Sequence, residues 1–289
     1  MAQAIRIHNP GGPETMALED VAPAMPGQGE VRLRQTAIGI NFIDVYHRTG
    51  LYKLQYPAGI GLEAAGVVEE AGQGTSLRIG DRVAYCGGPP GAYASHRVIA
   101  EKFLVKVPDT ISDEIAAAAM LKGLTAHYLL FRTFKVEKGH TVLIHAAAGG
   151  VGLIMCQWAK HLGATVIGSV GSDEKAVLAK KNGCDHVVVY TKENIPARVR
   201  ELTGGKGVDV VYDSVGKATF MDSLDSLKKF GMMVSYGNAS GAVPPFEPLL
   251  LSSKGSLYFT RPSLMHHIED TGLYREYAAD LFELIGKGI

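Results

Sequence analysis

Over roughly the first 110 residues, apolar positions alternate with polar ones in short runs broken by glycine and proline. Period-2 alternation marks half-buried strands, and it predicts them over residues 4–7, 30–40, 64–71, 81–85 and 92–100. From about residue 124 the texture changes. Apolar, β-branched runs at 141–146, 164–170, 186–190, 208–213, 232–236 and 256–260 alternate with stretches of helical period. Six such runs spaced by helices imply a doubly wound parallel sheet, so the fold class is α/β with a β-rich module in front. The helices between the runs carry their own punctuation. Val151, Ile154, Met155, Trp158 and Leu162 repeat at helical spacing until Gly163 ends them. A second helix opens at Ser172, an N-cap with Asp173 and Glu174 behind it, and stops before Gly183. A third covers 196–202 with Pro196 in its first turn, and a fourth covers 217–230 and stops at Gly231.

Length supports two domains, since 289 residues compare with about 150 per domain. Lys+Arg and Asp+Glu are both 29, a net charge of zero, which disfavours nucleic acid or anionic lipid as a partner. With 46% hydrophobic and 20% charged residues, neither a disordered chain nor a membrane protein is indicated. The N-terminus MAQAIRIHNPGGPE lacks the apolar run of a signal peptide, so a soluble, cytoplasmic protein is expected. The three cysteines (Cys86, Cys156, Cys184) have no metal-ligand spacing and cannot form a disulfide framework. Glycine alone departs from ordinary usage, at 35 of 289 residues or about 12% against about 7%.

Those glycines matter most in AAAGGVG (146–152), where the strand at 141–146 turns into the first amphipathic helix. Backbone without side chains lets a dinucleotide pyrophosphate approach, and the helix N-terminus offers N–H groups and partial positive charge. Gly149, Gly150 and Gly152 supply the turn, although GGVG departs from GxGxxG and close helix packing is the competing reading. An acid about 20 residues past the loop would take the ribose 2′-hydroxyl of NAD. Here that position falls in SVGSDEK, on Ser172. Asp173 and Glu174 read as solvent-facing acids of a first turn, whereas Lys175 favours the 2′-phosphate of NADP unless it is an ordinary surface lysine. His47 reads as solvated in a loop, His266 and His267 as a surface pair, and Cys156 as helix packing. Asp213 and Ser214 have no histidine near them in sequence, so a hydrolase triad is not indicated.

Together with INFIDVYHRTGLY (40–52), LKGLTAHYLL (121–130), YDSVG (212–216), SYGNASG and KGSLYFTRP, these motifs resemble the zeta-crystallin-like quinone oxidoreductases of the medium-chain dehydrogenase/reductase superfamily over the whole chain. The resemblance implies a GroES-like catalytic domain at 1–123, to which residues 262–289 return, and a Rossmann domain at 124–261 with NADPH in the cleft between them. It places Asn41, Tyr46 and Tyr52 at the nicotinamide and quinone end. Gly149, Gly150, Val151, Gly152 and Leu153 would hold the pyrophosphate, and Gly171, Ser172, Lys175 and Tyr190 the 2′-phosphate end. Thr125, Tyr128, Ser214, Tyr236, Gly237 and Asn238 would flank the cofactor. Zinc-dependent members carry GHE where this chain has GLE (61–63), so Leu62 replaces the histidine ligand and no metal is expected. The family continues for a strand, a helix and a strand beyond LFELIGKGI, so the first domain is expected to be truncated. A homodimer through the strand SLYFT is also implied.

A quinone accepts hydride directly, and the charge developing on its oxygen needs only a hydrogen-bond donor. Asn41 and tyrosine hydroxyls meet that need without a metal. NADPH-dependent reduction of α,β-unsaturated carbonyls is the alternative within the same chemistry. A non-catalytic NADPH-binding protein is the alternative outside it.

Overall fold

Residues 1–22 and 24–289 are described by the computed structural model and divide into two units, Met1–Leu124 with Ile268–Gly288 and Thr125–His267. In the first unit, β1 (Ala2–Ile7), β2 (Met16–Val21) and β4 (Ala58–Gly59) form one antiparallel sheet in the order β2-β1-β4. The larger sheet runs β7-β3-β5-β6-β8, from β3 (Glu30–Gly39), β5 (Glu63–Ala71), β6 (Arg82–Cys86), β7 (His96–Ala100) and β8 (Val105–Lys106). Alternation aims Val31 and Leu33 of β3 and Val83 and Tyr85 of β6 into one core with Val68 and Ile99. Three helices belong here wholly or in part: α1 (Phe42–Arg48), α2 (Asp113–Tyr128), whose last turn enters the second unit, and the late α9 (Thr271–Gly286). Along α9, Tyr274, Tyr277, Ala278, Leu281 and Phe282 are buried at helical spacing. The Tyr274 hydroxyl accepts from the Cys86 N–H (3.1 Å) and donates to the Phe103 carbonyl (2.9 Å). Gly123 of α2 makes room for Leu281, whose Cδ1 would lie 2.4 Å from a Cβ at that position.

The second unit is a parallel sheet in the order β11-β10-β9-β12-β13-β14. Its strands are β9 (Thr141–His145), β10 (Thr165–Val170), β11 (His186–Val189), β12 (Val208–Asp213), β13 (Leu227–Ser235) and β14 (Tyr258–Thr260). The main crossover helices are α3 (Gly150–His161), α4 (Asp173–Lys181), α5 (Ile195–Leu202) and α6 (Phe220–Ser226), with short α7 (Leu249–Ser253) and α8 (Leu264–His267) later. The chain winds outward from β9 in one direction and then returns to place β12 on its other side. Loops therefore diverge at the carboxyl ends of β9 and β12, where open α/β sheets bind ligands.

Among the elements that differ from the sequence expectation are two helices. The helix predicted over 217–230 covers only Phe220–Ser226, and β13 begins at once. Arg200 intervenes there: its Nη2 donates to the carbonyls of Asp225 (2.9 Å) and Leu227 (2.8 Å), capping the helix end. The stretch around His47, expected as a loop, is the helix α1. No helix among the described residues is long and apolar enough to cross a membrane.

The switch point is held by a buried polar chain. His145 is fully buried, with Nδ1 2.7 Å from Ser169 Oγ and Nε2 3.0 Å from Ser223 Oγ. Ser223 donates its proton to Asp213 Oδ2 (2.7 Å), so its oxygen accepts from His145 Nε2–H, and Nδ1 accepts from Ser169. The imidazole is neutral in this arrangement, and burial pushes its pKa below the ordinary 6.5. The unfolded chain takes up a proton on this histidine below that value and the folded chain resists it, so stability is full above about pH 6.5 and declines as pH falls. Replacing His145 by Gln should lower stability by about 1–3 kcal/mol near neutrality and flatten that acid decline. Thermal midpoints at neutral and acid pH check it; a parent protein no steeper than the variant would overturn the assignment.

Candidate functional site

The glycine loop is built as a close approach. Ala146 takes a left-handed φ of 51° at the end of β9, and Gly149 N–H closes the turn onto the Ala146 carbonyl (2.8 Å). The Ala147 N–H donates to Ser169 O (3.1 Å), tying the loop to β10. A Cβ at Gly152 would meet Ala146 O at 2.3 Å and Ala147 Cα at 2.9 Å, so only glycine lets α3 lie this close to the turn. Gly149 and Gly150 are exposed, Val151 and Leu153 half-buried, and Gly152 buried. First-turn N–H groups have no intrahelical acceptor and remain available to an anion.

A second cluster stands at the end of β10. Ser172 caps α4 by accepting from Lys175 N–H (3.4 Å), and Lys175 is exposed one turn in. Tyr190, 53% exposed, lies against Gly171, where a Cβ would come within 2.6 Å of its hydroxyl. Of the two first-turn acids, Asp173 is engaged elsewhere, its Oδ2 pairing with Lys192 Nζ at 2.6 Å, while the Glu174 carboxylate bonds Ser172. Among the described residues, Lys175 has no ion pair.

Around the ends of β12 and β13, a Cβ at Gly237 would lie 2.3 Å from Ser214 O, and Tyr236 N–H donates to Asp213 O (2.8 Å). Asn238, its amide oriented to suit its neighbours, donates to Gly237 O (2.9 Å) and accepts from Arg261 Nη2 (3.3 Å). Thr125 and Tyr128 are buried on α2. The Tyr128 ring stacks on His267 with centroids 4.5 Å apart and planes at 15°. His267 is therefore half-buried and its pKa lowered by burial, which corrects the expected surface pair; His266 alone is exposed. Asp213 does have a histidine close by in space, His145. Asp213, however, bonds the serine and leaves the imidazole to two hydroxyls, with every member buried, and that is not a nucleophilic triad. Cys156 is buried in α3 beside Cys184 (Sγ to Sγ 3.3 Å), as packing requires.

In the first unit Asn41 is the N-cap of α1, and Asp44 reaches back to accept from its backbone N–H (2.9 Å). Tyr46 packs edge-on to Phe42 (5.4 Å) and to Tyr52 (5.3 Å). Tyr52 is half-buried and its N–H returns to the Tyr46 carbonyl (3.1 Å). The helix turns His47 inward against Tyr52, so this residue is 8% exposed and not solvated as expected; burial lowers its pKa. Sequence reasoning missed Glu63, fully buried beside Asn41. Its carboxylate accepts from Asn41 Nδ2 (2.7 Å), Leu121 N–H (2.6 Å) and Lys122 Nζ (3.4 Å). Burial raises its pKa, and Lys122 with the three hydrogen bonds opposes that shift. Leu62 beside it belongs to the core, and no group of three His, Cys, Asp or Glu side chains suits a metal among the described residues.

Residues 150–283 match the family model described as zinc-binding dehydrogenase, and residues 27–109 match the alcohol dehydrogenase GroES-like domain. A quinone oxidoreductase of Pseudomonas aeruginosa is 51% identical over 290 residues, covering 100% of this chain and 89% of that protein. A 2-haloacrylate reductase of Burkholderia sp is 48% identical over 297 residues, with the same coverage of 100% and 89%. The crystal structure of Escherichia coli quinone oxidoreductase complexed with NADPH has a TM-score of 0.97 at 48% identity, covering 99% of this chain and 88% of that one.

The close approach at Gly152 is directly testable. Gly152→Ala should cost about 1–3 kcal/mol of stability and weaken dinucleotide binding, because the added carbon meets backbone and not a mobile side chain. A thermal midpoint and a dinucleotide affinity both equal to those of the parent would show that the loop has slack.

Proposed function

The chain belongs to the quinone oxidoreductase family of the medium-chain dehydrogenase/reductase superfamily, and from that premise we infer a zinc-independent enzyme that transfers hydride from NADPH to a quinone. The observation that carries the reading is the pair of tight glycine turns at Gly152 and Gly171: a Cβ at either would collide with neighbouring atoms, and each turn leads into the start of a helix with open first-turn N–H groups. A dinucleotide fits such a pair of sites, one taking the pyrophosphate and the other the adenosine ribose. Gly149, Gly150, Val151, Gly152 and Leu153 would hold the pyrophosphate. Gly171, Ser172, Lys175 and Tyr190 would hold the 2′-phosphate, with Lys175 as its counter-charge. Thr125, Tyr128, Ser214, Tyr236, Gly237 and Asn238 would take the nicotinamide half, and Arg261, held by Ser235 O (3.0 Å) and Asn238, supports that wall.

When bound, the cofactor supplies the hydride. The protein's own share is to orient the quinone and stabilise the charge that develops on its oxygen. Asn41, with an amide N–H beyond the one bonded to Glu63, is assigned that donor role, with Tyr46 and Tyr52 as ring contacts. Hydride and one proton together convert the quinone to a hydroquinone, and water suffices as the proton source. The 48%-identical 2-haloacrylate reductase favours a second substrate class, activated alkenes next to a carboxyl or carbonyl group, since the same donor would serve their oxyanion.

A homodimer through β14 is part of the same reading. That strand is one of the two edges of the parallel sheet and Tyr258 on it is 58% exposed; a monomeric mass in light scattering would remove it. A reducing, cytoplasmic setting suits three buried, unpaired cysteines, and export of the native protein would argue against it.

NADPH oxidation measured across a panel of quinones and α,β-unsaturated carbonyls should give turnover with quinones; turnover with neither class would overturn the reading. Lys175→Ala should weaken NADPH binding roughly 10- to 100-fold and leave NADH almost unchanged. Equal losses for the two nucleotides would take the 2′-phosphate away from this lysine.

A further inference from the structure

Glu63 sits at the start of β5, paired in register with Gly39 of β3. A Cβ at position 39 would lie 2.1 Å from Glu63 Oε2 and 2.3 Å from the Ala117 carbonyl, so a glycine two residues before Asn41 is what admits the carboxylate. Oε1 accepts the Leu121 N–H (2.6 Å), and Oε2 accepts Asn41 Nδ2 (2.7 Å) and Lys122 Nζ (3.4 Å). Its hydrogen-bond neighbours are therefore all donors. An ionised carboxylate has no proton to give, so it discriminates between the two ends of an amide. With Asn41 rotated by half a turn, Oδ1 would face Oε2 and two sets of lone pairs would meet where the carboxylate is fully buried. The backbone of Asn41 is fixed by a second carboxylate: Asp44 Oδ2 takes its N–H (2.9 Å) and is itself held by the Tyr93 hydroxyl (2.9 Å).

We propose that Glu63 is a positioning residue for quinone reduction: it holds the Asn41 amide with its nitrogen end fixed, so that the second N–H, and not the carbonyl oxygen, is offered to the developing oxyanion. This rests on the reading of Asn41 as the quinone-side donor. A buried carboxylate held only for the fold would be served by Lys122 and the Leu121 N–H. The shortest side-chain contact it makes is instead to Asn41.

Glu63→Gln, a near-isostere, tests the idea. With its oxygen on the Leu121 N–H, the glutamine amide turns N–H groups toward Asn41 and favours the rotated form, which presents an acceptor to the substrate. The expected result is a fall in kcat for quinone of up to about 100-fold, the scale of one lost oxyanion donor, with NADPH affinity unchanged. In the 15N spectrum, the Asn41 side-chain amide should lose the downfield proton that marks its bond to the carboxylate. In an Asn41→Ala background, Glu63→Gln should have no further effect on kcat. If Asn41→Ala itself leaves kcat unchanged, the donor reading of Asn41 fails. If Asn41→Ala lowers kcat and Glu63→Gln lowers it again by the same factor, the positioning role fails while the donor reading stands. Should the Gln variant not fold, Glu63→Asp keeps the charge but shortens its reach, and it must show the same loss of kcat and the same dependence on Asn41.

Discussion

A parallel sheet that reverses its winding direction must leave polar strand ends facing a crevice, and the second unit is organised by how those ends are satisfied. His145 and Asp213 end β9 and β12, Ser169 is the next-to-last residue of β10, and Ser223 comes from α6. Asp213 takes the Val215 and Gly216 N–H groups on one oxygen (2.8 and 2.9 Å) and the Thr219 and Ser223 hydroxyls on the other (both 2.7 Å). The same carboxylate therefore shapes the turn after β12 and, through Ser223 and the imidazole, reaches the strands on either side of the glycine loop. Removing one member strands the next one buried and unpartnered, which is why such chains hold their geometry closely.

Glu63 presents the same physical problem in the first unit with a different solution. Asp213 is surrounded by hydroxyls and backbone N–H groups and fixes a turn. Glu63 has a cation, a backbone N–H and one amide, and the amide belongs to a residue at the mouth of α1. Burying a carboxylate costs several kcal/mol unless each oxygen is satisfied. In both places the satisfied state is compatible with a single arrangement of the neighbours.

Much of this was legible in the residues. Continuous apolar runs located the Rossmann strands, and helical spacing and end signals located α3, α4 and α5, because those runs are buried within one sheet and its covering helices. The features that escaped depend on tertiary partners. Helix α1 has only seven residues, FIDVYHR, and no clean apolar stripe, so its cap and the packing of Tyr46 decide it. The end of α6 is set by an arginine about 25 residues away. Glu63 was visible in GLE only as the neighbour of a missing histidine; its role appears when the β3–β5 register sets it opposite Gly39. No sequence pattern announces a ring packed against tyrosine, which is why the packing of His47 and His267 appears only in three dimensions.

The same dependence on partners bears on nucleotide choice. Asp173 and Lys175 stand two residues apart in one helical turn, and an acid there would favour a 2′-hydroxyl while a lysine would favour a phosphate. Position alone does not decide between them. Lys192, two residues beyond the exposed Tyr190, pairs with Asp173 at 2.6 Å. Both partners are well exposed, so the pair adds little to stability. Its consequence is electrostatic: Asp173 is drawn to the lysine of the neighbouring strand end, and Lys175, in the same turn, has no ion pair among the described residues. With Asp173 drawn to Lys192, the charges left in that first turn are Lys175 and Glu174, whose carboxylate bonds Ser172, so the local potential is a property of two strand ends together and of neither stretch of sequence alone.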